Sequence, residues 1–347
     1  MNNERKIVLV IAIVLVAAGV VWFVGKTAPN APDCSTIQYE GDGTKTNPYE
    51  VGNVGQLHCM GANHDYTETK LNDSFVQVSD IDASETSRWF DGKGFHPIFR
   101  VSTRNKYLYF DGTFDGQGHN ITDLTIDGRS NLNGLFARIG TEGTVKNVSL
   151  IDADIDGSLH VGGLTGANEG MIKNSHVSGS IFGCDVGGLV GWNDGGKIEN
   201  SYSTASVEDS GLGCPTGGLV GTNDGTIIKS YARGPVTSSA KAGGIVGTNT
   251  GIINESYATG SVSYGDGVEG LVGVEEGDGT VNDSYWDMNA TGQPTSAGNA
   301  TGLTTEEMTD IAARNNMRGF DFTDTWETVR DGYPVLGEDA AVTRRKK

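Results

Sequence analysis

"GGLVGTNDGTIIKSYARGPV", residues 217–236, recurs along this chain with few changes. Related strings are "GGLTGANEGMIKNSHVSGSI" from residue 162, "GGLVGWNDGGKIENSYSTASV" from 187 and "GGIVGTNTGIINESYATGSV" from 243. The marker glycines Gly163, Gly188, Gly218, Gly244 and Gly270 are separated by 25, 30, 26 and 26 residues, and a weaker copy begins at Gly134. A fixed period of this length marks a solenoid or array. No copy has helical periodicity. Each holds about three short β-type runs divided by Gly, Asn and Asp, which excludes the helical repeat classes.

Aligned by the marker, the copies form columns. Leu135, Leu164, Leu189, Leu219, Ile245 and Leu271 make one, and Phe136, Thr165, Val190, Val220, Val246 and Val272 follow them. The second column tolerates threonine, so the first is expected to face inward. Val145, Ile172, Ile198, Ile227, Ile253 and Val281 make another ladder, and Ile181, Val207, Val236 and Val262 a further one. One turn alone cannot bury its apolar face, whereas a stack of turns can. The expected fold is therefore all-β: a right-handed parallel β-helix of 25–30-residue rungs, its hand set by the chirality of parallel crossovers. Asn168, Asn193, Asn223 and Asn249 share a position, followed two residues later by Gly170, Gly195, Gly225 and Gly251. This pattern suits corners with left-handed backbone, and stacked asparagines can hydrogen-bond along the axis.

At this point the chain resembles the GLUG repeat of bacterial and archaeal surface proteins. That repeat also occurs in the non-catalytic region of IgA-specific metallopeptidases and in filamentous-haemagglutinin-like adhesins. Residues 41–61, 75–84 and 110–126 resemble the segment that precedes such repeats, and 284–308 and 320–336 the segment that follows them. The likeness spans residues 37–337. It implies a parallel β-solenoid at the cell surface and no defined activity. The H-E-x-x-H motif that the peptidase members need is absent from this sequence.

The 347 residues include 52 glycines and 8 prolines without a Gly-X-Y period, which excludes collagen. A formal net charge of −19 leaves no basic stripe for nucleic acid. An acidic shell keeps the chain soluble and suits high salt. Arg5 and Lys6 precede the uncharged run 7–25, long enough for one spanning helix. The expected organisation is a cytoplasmic tail at 1–6, a signal anchor at 7–25 and a linker at 26–36. An N-terminal cap with the first rungs follows at 37–127, the repeat solenoid at 128–286, a C-terminal cap at 287–337 and a basic tail at 338–347. Cleavage before residue 32 would instead release a secreted protein. Within the last cap, residues 304–316 read as a short helix covering the last rung, with Thr304 and Glu307 at capping-box spacing.

Four cysteines suit an external location. Cys34 and Cys59 flank the start of the folded region, and Cys184 and Cys214 each lie three residues before a repeat's glycine pair. Stacked rungs about 4.8 Å apart bring the latter two within disulfide reach, although four cysteines allow three pairings.

Candidate site residues are few. Tyr202, Tyr231, Tyr257 and Tyr285, with His176 before them, form a stripe suited either to stacking on sugars or to packing on itself. Asp152, Asp154 and Asp156 open like a calcium loop, but Gly163 stands where its glutamate should be. With one inserted residue, Ile155 joins the apolar ladder and the three aspartates face outward. Asp111, Asp115 and His119 are the first carboxylates to inspect for glycoside chemistry, or else form a turn. His58, His64, His96, His119, His160 and His176 show no zinc-type spacing. Seven N-x-S/T sequons occur, at Asn72, Asn120, Asn147, Asn254, Asn282, Asn289 and Asn299. The sequence thus reads as a membrane-anchored extracellular solenoid that presents a surface to glycans or proteins and uses no cofactor. A polysaccharide lyase or hydrolase on the same scaffold is the alternative, and an envelope spacer without a ligand a second one.

Overall fold

Each circuit of the chain lays down short strands divided by corners that pair in parallel with their counterparts one circuit away, while Trp326–Val329 and Gly332–Leu336 form a separate antiparallel pair. The computed structural model describes residues 31–60, 72–98, 109–128 and 130–337. The expected anchor at 7–25 and the tail at 338–347 lie outside the described residues. Among the described residues, no helix is long and apolar enough to cross a membrane. Stacking produces a right-handed-type solenoid with three sheet faces of nine, six and sixteen strands.

The nine-stranded face runs from Tyr49–Val51 through Ser74–Gln77 and Thr113–Asp115 to Thr280–Asn282. Its register is unbroken. Tyr49, Phe75, Phe114, Val145, Ile172, Ile198, Ile227, Ile253 and Val281 stand one above another. The six-stranded face joins Phe136–Ile139, Thr165–Asn168, Val190–Asn193, Val220–Asn223, Val246–Asn249 and Val272–Glu275. Ile155, Ile181, Val207, Val236 and Val262 align on the third face. Most of these side chains fill one continuous core, Val236 and Val262 forming a smaller cluster with Ala242, and a buried aliphatic side chain contributes roughly 1.5–3 kcal/mol relative to exposure. A one-residue bulge between Leu150 and Ala153 restores the register of Ile155, as the single insertion expected there requires.

The first column faces inward as expected, but its contrast with the second column and the reading of the asparagine column are corrected. The Leu135–Leu271 and Phe136–Val272 columns are both fully buried, threonine included. The leucine ends a corner and its neighbour begins the strand, so strict alternation does not apply between them. Thr165 meets its polarity locally, its hydroxyl donating to the Ala167 carbonyl at 2.8 Å. The asparagine column sits at strand ends, and of the glycines that follow it only Gly195 has left-handed backbone; the recurrent left-handed corner lies at Asn147, Asn174, Asn200, Lys229, Glu255 and Asp283. The glycine after each asparagine serves close approach. A Cβ on Gly225 would lie 2.1 Å from the Gly196 carbonyl oxygen below it. Gly196, not Gly195, holds that position, because Lys197 pairs with Met171 and Thr226.

The corners carry a second polar ladder that the sequence reading passed over. Ser175, Ser201, Ser230, Ser256 and Ser284 are buried. Each accepts a backbone N–H from the preceding rung at 3.2–3.3 Å. Each then donates to a carbonyl two residues back at 2.7–2.9 Å. Corner amides that cannot join a β-ladder are satisfied this way.

The capping box at Thr304 and Glu307 is present, but the helical segment does not lie over the last rung. Thr305–Met308 and Asp310–Asn316 are separate helices, broken at extended Thr309. Met308, Ala313, Met317, Phe320, Trp326 and Leu336 instead pack sideways against Tyr231, Tyr257 and Tyr285. The end itself is covered by residues 293–303. Gly270 and Ala297 donate to Thr295 and Val272 carbonyls, and Thr301–Leu303 pairs with Tyr285–Asp287.

Candidate functional site

Cys184 and Cys214 form a disulfide between neighbouring rungs with Cα atoms 5.2 Å apart, and Cys34 pairs with Cys59 at 5.4 Å. The first bridge closes the longest of the spacings between the marker glycines, Gly188 to Gly218, whose extra residues form the loop 209–215. Asp209 fixes that loop from inside. Its carboxylate accepts from Gly211 N, from the Ser238 hydroxyl at 2.8 Å, and from the Ser239 amide and hydroxyl at 2.8 Å. Burial alone would raise its pKa, but these bonds together outweigh it and hold the pKa below the usual carboxylate range.

Beside the loop lies a groove of about 380 Å³, lined by Phe182, Glu208, Ser210, Thr237, Ser239 and Tyr264 among others. That volume falls within the roughly 300–1,000 Å³ of small-molecule sites. Nothing in the repeat pattern marks it. The signal that could have found it is the length of the rung between Gly188 and Gly218, since insertions in a repeat map to one face.

The tyrosine column stacks on itself. Ring centroids are 4.6 Å apart for His176 and Tyr202, 4.5 Å for Tyr202 and Tyr231, and 5.1 Å for Tyr231 and Tyr257. Tyr231, Tyr257 and Tyr285 are at most 5% exposed beneath the C-terminal segment. Arg233 seals this seam. Its guanidinium lies 4.5 Å from the Tyr231 ring and donates to the Pro334 carbonyl at 2.7 Å. Those three rings are closed to a sugar, because the cap already occupies their free edge.

Asp152, Asp154 and Asp156 are exposed and alternate with buried Ala153 and Ile155. Among the described residues, no group of three or more His, Cys, Asp or Glu is placed to hold a metal. Asp111, Asp115 and His119 are engaged separately. Asp115 meets Lys146 at 3.1 Å and accepts from Asn147 at 2.9 Å, His119 lies 3.4 Å from Asp80, and Asp111 accepts from the Glu142 amide. The stretch is a turn, with Gln117 and Gly118 in left-handed backbone. The sequon asparagines at 72, 120, 282, 289 and 299 are exposed, while Asn147 and Asn254 are half-buried.

A second polar cluster, also missed from sequence, stitches the six-stranded face. Arg138 bonds Glu169 and Asp194, and its guanidinium lies 5.7 Å from the Trp192 ring. Trp192 donates to Asp224 at 2.6 Å and faces His160, which meets buried Asp185 at 2.6 Å. Thr222 donates to the other Asp185 oxygen at 2.7 Å.

Comparison with known proteins agrees with this architecture. A solved structure from Bacteroides ovatus, described as a "putative immunoglobulin A1 protease", superposes with a TM-score of 0.65 over 86% of this chain and 94% of that one. At 21% identity the likeness shows the fold alone. Halomucin of Haloquadratum walsbyi is 36% identical over 175 residues, which is 49% of this chain and 2% of that protein. A "putative Gly-rich membrane protein" of Evansella cellulosilytica is 34% identical over 151 residues, 41% of this chain and 16% of that protein. The chain thus spans a small part of the length of either relative. Residues 157–181 and 182–208 match the GLUG motif. The same register continues through Thr226–Ile228, Ile252–Asn254 and Thr280–Asn282, so that the chain carries the GLUG repeat stacked as a β-solenoid.

Proposed function

We propose that this chain is a membrane-anchored, extracellular β-solenoid with a structural or adhesive role, presenting its repeat faces to glycans or proteins. The observation that carries the reading is the unbroken parallel register over nine strands of one face, which makes a stiff rod rather than a closed catalytic cleft. Two disulfides suit an oxidising exterior. The apolar run 7–25 and the membrane relative from Evansella cellulosilytica favour an anchor. Against the enzyme alternative stand Asp111, Asp115 and His119, each held by different neighbours.

The full chain in detergent micelles, applied to a glycan array and followed by a turnover assay on every hit, tests the reading. Binding without turnover is the expected outcome. Turnover of any bound glycan overturns it, and binding to neither glycans nor cell-surface proteins leaves only a spacer. Carbonate extraction of membranes tests the anchor, which fails if the protein is released.

A further inference from the structure

The groove beside the long rung has the chemistry of a saccharide site, and its walls lie in strict register. Phe182 pairs with Glu208, Glu208 with Thr237, and Thr237 with Ser263, the residue before Tyr264. Three strand spacings separate the two aromatic positions, about 14 Å along the axis. This is the reach of a short oligomer rather than a single ring.

Tyr264 does not follow its own strand. Its register partner Ser238 faces inward and is 1% exposed, whereas Tyr264 is 77% exposed. The cause is a backbone φ of 92°, which turns the side chain outward. Positive φ at an aromatic residue is a genuine outlier, and such strain collects where a side chain serves a ligand. Phe182 and Leu212, the latter on the adjoining loop, are also exposed. Apolar side chains left in water at one place mark a contact surface.

Between the aromatic positions the lining carries the hydroxyls of Ser210, Thr237 and Ser239, with the Glu208 carboxylate. The Ser210 hydroxyl is covered and makes no hydrogen bond. The strands that carry Phe182, Glu208 and Thr237 are paired on both sides, whereas Val262–Glu269, at the Tyr264 end, pairs among the described residues only with the strand of Thr237. A net charge of −19 and Glu208 at the groove disfavour anionic ligands. The loop wall is fixed by Asp209 and by the Cys184–Cys214 bridge, so binding need not order it.

We propose that this groove binds an uncharged oligosaccharide lying along the solenoid axis, with sugar faces on Phe182 and Tyr264 and hydroxyls on Glu208, Thr237 and Ser239. The assignment rests on the adhesive reading above and gives it a ligand class and a place.

Saturation-transfer NMR on the full chain in detergent, with chitotetraose, cellotetraose and maltotetraose as probes and a heparin tetrasaccharide as anionic control, tests it. At least one neutral probe should bind and the control should not. F182A and Y264G should each weaken binding about tenfold or more, the loss of one stacked ring. Glycine accepts the positive φ, so Y264G should keep the wild-type unfolding midpoint or exceed it. Binding that survives both substitutions places the ligand elsewhere, overturning the groove while leaving the adhesive reading intact. Binding of no neutral probe, or equal binding of the heparin control, overturns the groove directly, and the protein arm of the adhesive reading is then judged by its own binding assay.

Discussion

The Asn193 side chain donates to the Asn223 carboxamide oxygen at 2.7 Å, and both residues are fully buried. The pair belongs to a ladder that begins with Asn168 donating to Asn193 at 2.8 Å and continues from Asn223 to Asn249 at 2.7 Å. Each amide also donates to a glycine carbonyl in its own corner, at Gly170, Gly196, Gly225 or Gly251. Removing one rung orphans groups on both sides, at about 1–3 kcal/mol for a buried unsatisfied partner. Asn223→Ala should therefore lower unfolding stability by about 2 kcal/mol or more in urea titrations. A loss below about 0.5 kcal/mol would show that the ladder is held by the backbone alone.

The same ladder ends on a carboxylate. Burial raises the Glu275 pKa above its ordinary value, outweighing the bond that Asn249 donates to it at 3.4 Å. A group whose folded pKa lies above the unfolded one contributes stability that is present below the unfolded value and lost as pH rises through the folded one. Glu275→Gln keeps an acceptor for Asn249 and removes this loss. The variant should melt higher than wild type at pH 7, and the gap should shrink as pH falls toward 4. A gap that does not change with pH would assign the effect to packing.

His176 gives the opposite sign. Burial lowers its pKa to about 4, and its ring stacks 4.6 Å from Tyr202 with planes 2° apart. Neutral histidine is favoured in the folded chain, so the stability is complete above about 6.5 and falls as pH drops from there toward 4. His176→Tyr matches the residue type of the four later rungs and does not titrate in that window. Its stability relative to wild type should grow by about 2 kcal/mol between pH 7.5 and pH 5, measured by urea midpoints at each pH. A parallel pH dependence in both proteins would place the titrating group elsewhere.

What the sequence made legible was whatever repeats in step. The apolar ladders, the parallel register, the Cys184–Cys214 pairing and the self-stacking tyrosines follow from one premise, that like stands over like. Other features needed the backbone path. Asn168 and its counterparts suggest a left-handed corner because asparagine tolerates one, yet here their amides bond along the axis inside the core. Gly195 and Gly196 are adjacent, and only strand pairing shows which keeps register. The serines of "NSH", "NSY", "KSY", "ESY" and "DSY" look like ordinary polar filler, because nothing local reveals that their hydroxyls serve amides one rung back. The groove at Phe182 and Tyr264 comes from departures from the repeat, an inserted loop and a reversed side chain, which column alignment discards.

The long rung is also the place where one covalent bond takes over from strand pairing. Cys184 and Cys214 are 30 residues apart in sequence, and closing a loop of that length stabilises by roughly 3.5 kcal/mol in the chain-entropy account. The paired substitution C184S/C214S should lower stability by about 3 kcal/mol, with a greater loss than F182A at the exposed wall nearby. Its effect should also be local. Gly211 bonds to Asp209, and Gly213 donates to the Ser239 hydroxyl at 3.1 Å, so both amides lie in the loop that the bridge tethers. In native-state hydrogen exchange these two should become faster, while Val207 and Val236, in paired strands, should stay protected. If Gly211 and Gly213 keep their protection without the bridge, then Asp209 alone fixes the loop, and Asp209→Ala becomes the substitution that releases it.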